Sequence, residues 1–230
     1  MTGLVPFGIR LARLLELRGL PSLDPETTVD DTLLRRLGPE LGLHTADLFL
    51  FAGLEVPEDL APAQLEHRLR VKRLLWSAGR LDPAAFARVR GFVRELPARP
   101  VRRDRPFPDD GDDATPGVVL RRLLANRNIR MDSQVLMVLG GGPYVSTSTY
   151  WMATAGRIPL ADRFVNPIAR LIGISVGELA ALLGIEAAEI PWGQPHPLLP
   201  ELVDLAWALR RLDDEQVLAT REFIEVCSAP

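Results

Sequence analysis

The sequence holds a single cysteine, Cys227, and a single lysine, Lys72, among 230 residues. A lone thiol cannot close an internal disulfide, and it has no companions at metal-ligand spacing. A disulfide scaffold is thereby excluded, and a reduced, cytoplasmic setting is the expected compartment. The three histidines, His44, His67 and His196, lie far apart without cysteine or acidic partners at ligand spacing, so no metal site is expected. Aromatic residues are scarce, and β-branched residues rarely alternate, so little in the pattern points to sheets. No apolar run approaches the ~20 residues of a membrane span. The opening M-T-G-L-V-P-F-G-I-R lacks the basic stretch and apolar core of a secretory signal. Gly140, Gly141 and Gly142 are not followed by the Gly-Lys-Ser/Thr of a phosphate-binding loop, and no strand precedes them. No Ser, Cys or carboxylate pair comes with the third group that would activate it. Neither an enzyme nor a cofactor is expected.

Hydrophobic residues make up 47% of the chain, enough for a packed core. Leu and Ala dominate, which favours helices. The formal net charge is −3. A chain that lives on phosphate contacts is usually basic, so the total charge weighs against nucleic acid, although a local patch can differ from the total.

The chain repeats itself around a break from Pro97 to Pro116, P-A-R-P-V-R-R-D-R-P-F-P-D-D-G-D-D-A-T-P. Prolines remove amide donors and turn their predecessors away from helix, so this stretch reads as a solvated linker without a packed interior. Gly8 to Leu20 aligns with Gly117 to Ile129 at an offset of 109, matching at Gly8, Leu11, Arg13, Leu14, Leu15 and Arg18. Farther on the offset becomes 131. Gly42 and Gly53 then fall on Gly173 and Gly184, and Trp76, Arg80, Leu81, Asp82, Arg90 and Phe92 on Trp207, Arg211, Leu212, Asp213, Arg221 and Phe223. One offset serving two distant blocks indicates a duplication. The second copy carries 22 extra residues between Ile129 and about Phe164.

That extra segment has helix signals of its own. Asp132 or Ser133 can cap a helix whose apolar face is Val135, Leu136, Val138 and Leu139, ended by Gly140 to Pro143. Ser146 is a good N-cap for a second helix, Thr147 to Ala155, with Gly156 as its stop. Two short helices joined by a glycine-bearing turn read as a helix-turn-helix. Each half then closes with a helical hairpin: Leu74, Trp76, Leu81, Phe86, Val89 and Phe92 in the first, and Leu202, Leu205, Ala206, Leu209, Leu212, Val217, Phe223 and Ile224 in the second. Each hairpin either completes the core of its own half or forms a contact between halves or between chains.

Gln134, Ser146, Gly156 followed by Arg157, and A-R-L-I-G-I-S-V-G-E-L from Ala169 to Leu179 carry a resemblance. The stretch from Gly117 to about Ile185 resembles the lambda-repressor-like, Cro/xenobiotic-response-element family of helix-turn-helix regulators. The first half resembles the same fold without its second and third helices. The whole arrangement looks like a two-module group of such regulators in high-GC actinobacteria. The resemblance implies an all-α chain of two tandem helix-turn-helix-like modules, the first lacking helices two and three and each followed by a helical hairpin. Residues 1–97 would be the degenerate module with its hairpin, 98–116 the linker, 117–190 the complete domain and 191–230 the second hairpin. It also implies a sequence-specific transcriptional regulator that binds double-stranded DNA as a homodimer and has no membrane partner. By the family's register Thr147, Ser148 and Met152 face base edges, while Tyr150 and Ala153 face the core. Gln134, Thr149, Trp151, Arg157 and Arg163 lie near phosphates. Two departures stand out. The turn G-G-G-P-Y-V is longer than the family's, and the recognition helix S-T-S-T-Y-W-M-A-T-A has no Arg, Lys, Asn or Gln, the side chains that bond base edges best. The alternative is a protein-interaction regulator that keeps the fold and does not read DNA.

Overall fold

The computed structural model describes residues 4–23, 27–65, 69–100, 103–108, 114–129, 131, 133–191 and 193–228. The architecture among these is all-α. The first half contributes α1 (Phe7–Leu17), α2 (Asp31–Glu40), α3 (Thr45–Ala52), α4 (Leu69–Ala78) and α5 (Pro83–Glu95). The second contributes α6 (Pro116–Ala125), α7 (Ser133–Val138), α8 (Thr147–Thr154), α9 (Asp162–Ile172), α10 (Val176–Leu183), α11 (Leu199–Leu209) and α12 (Asp214–Ser228). No single helix among the described residues is long and apolar enough to cross a membrane.

The sequence offsets reappear as helix boundaries. α2 and α9 start 131 residues apart, as do α3 and α10, and α5 and α12, while α1 and α6 start 109 apart. Local chemistry sets these ends. The Asp30 carboxylate accepts from the Leu33 amide at 2.8 Å and opens α2. Ser175 and Glu178 form a reciprocal capping box on α10. Gly53 and Gly184 close α3 and α10 at φ 74° and 68°, a left-handed turn that glycine adopts without steric cost. α7 and α8 fall inside the extra segment of the second half. In the first half, the described residues between Leu17 and Asp31 form no helix.

The halves do not close separate cores. α1 lies against α10, and α6, its counterpart, lies against α3. Each opening helix thus covers the other half, and Leu11, Leu14 and Leu15 of α1 are buried in this way. The hairpins embrace likewise, with α4 and α5 both packed against α11 and α12. Of the roles the sequence leaves open for the hairpins, the contact between halves is present, and α11 also packs against α9 of its own half.

Side chains repeat the exchange. Arg18 of the first half donates to the Leu41 carbonyl of its own half and, through Nε at 2.8 Å, to Glu178 of the other. Arg127 donates to the Ile172 carbonyl at 3.3 Å and grips Asp47 of the other half at 2.8 and 3.1 Å. All four partners correspond at an offset of 131. Phe92 stacks on its own counterpart Phe223, with ring centroids 4.4 Å apart. Arg10 donates to the carbonyls of Phe51, at 2.7 Å, and Leu182, again a corresponding pair, near the C-terminal ends of α3 and α10. Residues that meet their own equivalents mark a pseudo-two-fold axis.

Residues 98–116 are not wholly a solvated linker, which corrects the expectation drawn from their composition. Phe107 is buried and bridges to Val56, with the Val56 amide 2.9 Å from its carbonyl. Arg103 donates to the Pro62 carbonyl at 2.9 Å, and Arg99 reaches Asp213 and Glu215 at 2.8 and 2.7 Å. An aromatic side chain among prolines and charges has gained an apolar seat, and burial outweighs the local loop signal. The acidic run 109–113 lies outside the described residues.

Candidate nucleic-acid interface

Three elements present α8. Its first turn is capped by Ser146, whose hydroxyl accepts from the Thr149 amide at 3.3 Å. Its inner face carries Tyr150 and Ala153, both buried as the register implies. The Tyr150 phenol donates to the Gly142 carbonyl at 3.2 Å, and its ring meets Phe164 edge-on with centroids 5.4 Å apart. Burial pushes that phenol's pKa up, so it stays a neutral donor. This bond ties α8 to the glycine turn before it. Behind α8 runs α6, approaching so closely that a Cβ on Gly117 would stand 2.1 Å from the Thr154 carbonyl oxygen. Gly156 then ends the segment at φ 69°.

The outer face is what remains. Ser148, Trp151 and Met152 are exposed, and Thr147 and Thr149 are half-buried. The Ser146 hydroxyl lies 2.7 Å from that of Ser148 and 3.0 Å from that of Thr149. The three hydroxyls therefore form a small network and can serve a ligand as donor or acceptor.

The cations divide. Arg157 is exposed just past Gly156 and lines, with Arg121, a groove of about 720 Å³ between α6 and the end of α8. Arg121 lies with its guanidinium 5.0 Å from the centre of the Trp151 ring and donates to the Thr154 carbonyl at 3.0 Å. Trp151 is thus a platform for a cation as well as an exposed ring. Arg163 is exposed at the start of α9, over the Phe164 ring and beside the turn Gly141 to Pro143. Gln134 is set apart from the α8 residues. Its Oε1 accepts from Lys72 Nζ at 2.9 Å, and it borders the α4–α12 groove. Asp132, one of the two expected caps of α7, lies outside the described residues.

Of the eight residues expected to meet DNA, the structure therefore brings Thr147, Ser148, Thr149, Trp151 and Met152 together on α8, flanks them with Arg157 and Arg163, and gives Gln134 to α4. The sequence reading passed over Arg121 and Tyr144. Arg121 stands where the first copy has Ala12, a difference between copies on the face that meets the added helix. Tyr144 is 83% exposed in the turn before α8, and only its place among glycine and proline marked it. No family model, curated protein or solved structure matches the chain.

Proposed function

We propose that the chain is a transcriptional regulator that binds double-stranded DNA through α8. The observation that carries this reading is the presentation of α8. A capped two-turn helix is anchored by Tyr150, and it holds Thr147, Ser148 and Met152 outward between exposed arginines. In this reading the hydroxyls and the Met152 thioether touch base edges, while Arg157 and Arg163 hold phosphates and fix the register. A palindromic site would need two copies with recognition helices roughly 34 Å apart. The closing hairpins already pair with each other inside one chain, so a second copy would use another face.

Selection from random DNA, followed by mobility shift across salt, tests the proposal. Arg163→Ala should weaken binding to all sequences alike and lower the salt slope by about one unit. Ser148→Ala should change base preference at one position by about 1 kcal/mol. If the selection enriches no motif and Arg163→Ala leaves affinity unchanged across salt, the reading fails. A second reading, a regulator that binds protein through the same face, is favoured by one observation. α8 offers Trp151 and Met152 but no amide or guanidinium of its own, and Tyr144 stands beside it.

A further inference from the structure

The pseudo-two-fold arrangement has one conspicuous inequality. On one side of the hairpin bundle, Trp207 of α11 is covered. The His44 ring stacks on it at 3.4 Å between centroids, and the guanidinium of Arg210 lies 4.2 Å from its centre. On the other side its counterpart Trp76 is 43% exposed, beside Leu218, which is 41% exposed. Both line the open groove of about 840 Å³ between α4 and α12.

Charge is unequal in the same place. On the covered side Arg90 of α5 faces Asp204 of α11 at 3.7 Å. The counterparts at an offset of 131 are Arg221 and Arg73. Both line the groove, so a cation stands where the covered side has a carboxylate. Lys72 adds a third cation, and Glu225, paired with Arg221 at 2.9 Å, is the one carboxylate of the lining among the described residues. In a chain of net charge −3, this trough is locally positive over an apolar floor.

We infer that this groove is a docking site for an acidic amphipathic helix of a partner protein. The partner's apolar stripe lies on Trp76 and Leu218, and a carboxylate of its flank takes, between Arg73 and Arg221, the part that Asp204 plays on the covered side. A helix suits an open trough between two helices, because its apolar positions repeat along one face and its charges stand on either side. Gln134 at the start of α7 borders the same groove, so an occupant touches the segment that leads to α8. The inference concerns a different surface from the α8 face and stands whether or not α8 reads DNA.

The test uses the full chain without DNA. A labelled helical peptide with Leu at i, i+3, i+4 and i+7 and Glu on its flanks is titrated by fluorescence anisotropy, beside the same peptide with Lys in place of Glu. Saturable binding of the acidic peptide is expected, at least tenfold tighter than that of the basic one. Trp76→Ser should abolish it. The pair Arg73→Glu and Arg221→Glu should reverse the preference, a result that mere damage to the fold would not give. These side chains are exposed, and circular dichroism checks that the variants remain helical. The proposal is overturned if neither peptide saturates, if both bind alike, or if the charge exchange leaves the preference unchanged. It is equally overturned if sedimentation shows the chain self-associating through a contact that Trp76→Ser removes, which would make a second copy the occupant.

Discussion

Replacing Arg10 would remove a cation shared by both halves. Its guanidinium is buried and donates to the carbonyls of Val5, Phe51 and Leu182, the last two near the negative ends of helix dipoles. Burial brings its pKa down to about 10, which still leaves it charged at neutral pH. Arg10→Met keeps the apolar stem but orphans those carbonyls, and should cost about 3 kcal/mol in urea denaturation. His44 governs acid behaviour. Burial first, and then the nearby charges of Arg127 and Arg210 against the pull of Asp47, lower its pKa from 6.5 to about 4. The folded ring is therefore neutral where the unfolded one takes a proton. Its contribution is intact above about 6.5 and is lost as pH falls toward 4, by at most about 1.4 kcal/mol per pH unit and less for a ring that is partly solvated. His44→Phe keeps a ring on Trp207 and should flatten the stability profile in that window. Asp47 acts at lower pH. Burial raises its pKa, but the charge and hydrogen bonds of Arg127 outweigh burial and leave it lowered, so its contribution is lost only as pH falls through and below the usual carboxylate range.

At the scale of elements, the two opening helices give a matched comparison. Gly117 and Gly8 correspond, yet a Cβ on Gly117 would strike the Thr154 backbone while one on Gly8 meets nothing within 4 Å. Gly117→Ala should therefore displace α8 and lower thermal stability, by about 1–3 kcal/mol on the usual scale of overpacking. Gly8→Ala should be neutral or slightly stabilising. Thermal melts of the two variants, with near-ultraviolet dichroism to follow the aromatic residues around α8, check both. Much at this scale was legible in the sequence. Ser146 and Gly156 bracket α8 with cap and stop, Tyr150 and Ala153 fall inward, and the repeated Gly53 and Gly184 close equivalent helices. What was not legible is which half each apolar face covers. Periodicity shows that Leu11, Leu14 and Leu15 share a stripe, but not that α10 lies on it, because the same stripe would suit α3 equally well. Phe107 was missed for a related reason, since prolines and charges around it describe its neighbours and not its seat. Gln134 was placed by register with the DNA-facing residues, and nothing local to α7 announces Lys72 from the other half.

The exchange of opening helices governs the molecule as a whole. Each half leaves a face that the opening helix of the other covers, so residues 1–97 and 98–230 expressed apart should each lack a cooperative unfolding transition. Mixed together they should regain helicity and sediment as a one-to-one complex. A sharp melt from 1–97 alone would refute this interdependence. The same feature bears on synthesis. Arg10 leaves the ribosome 172 positions ahead of its Leu182 partner. While the stretch between α1 and α10 is being made, at about 5–20 residues per second, the nascent chain carries the apolar stripe of α1 without the helix it lies on. Such a chain is exposed to aggregation and to chaperone capture until its second half is made. Pausing translation near residue 150 should therefore leave the whole N-terminal half sensitive to protease, and release of the completed chain should protect both halves together.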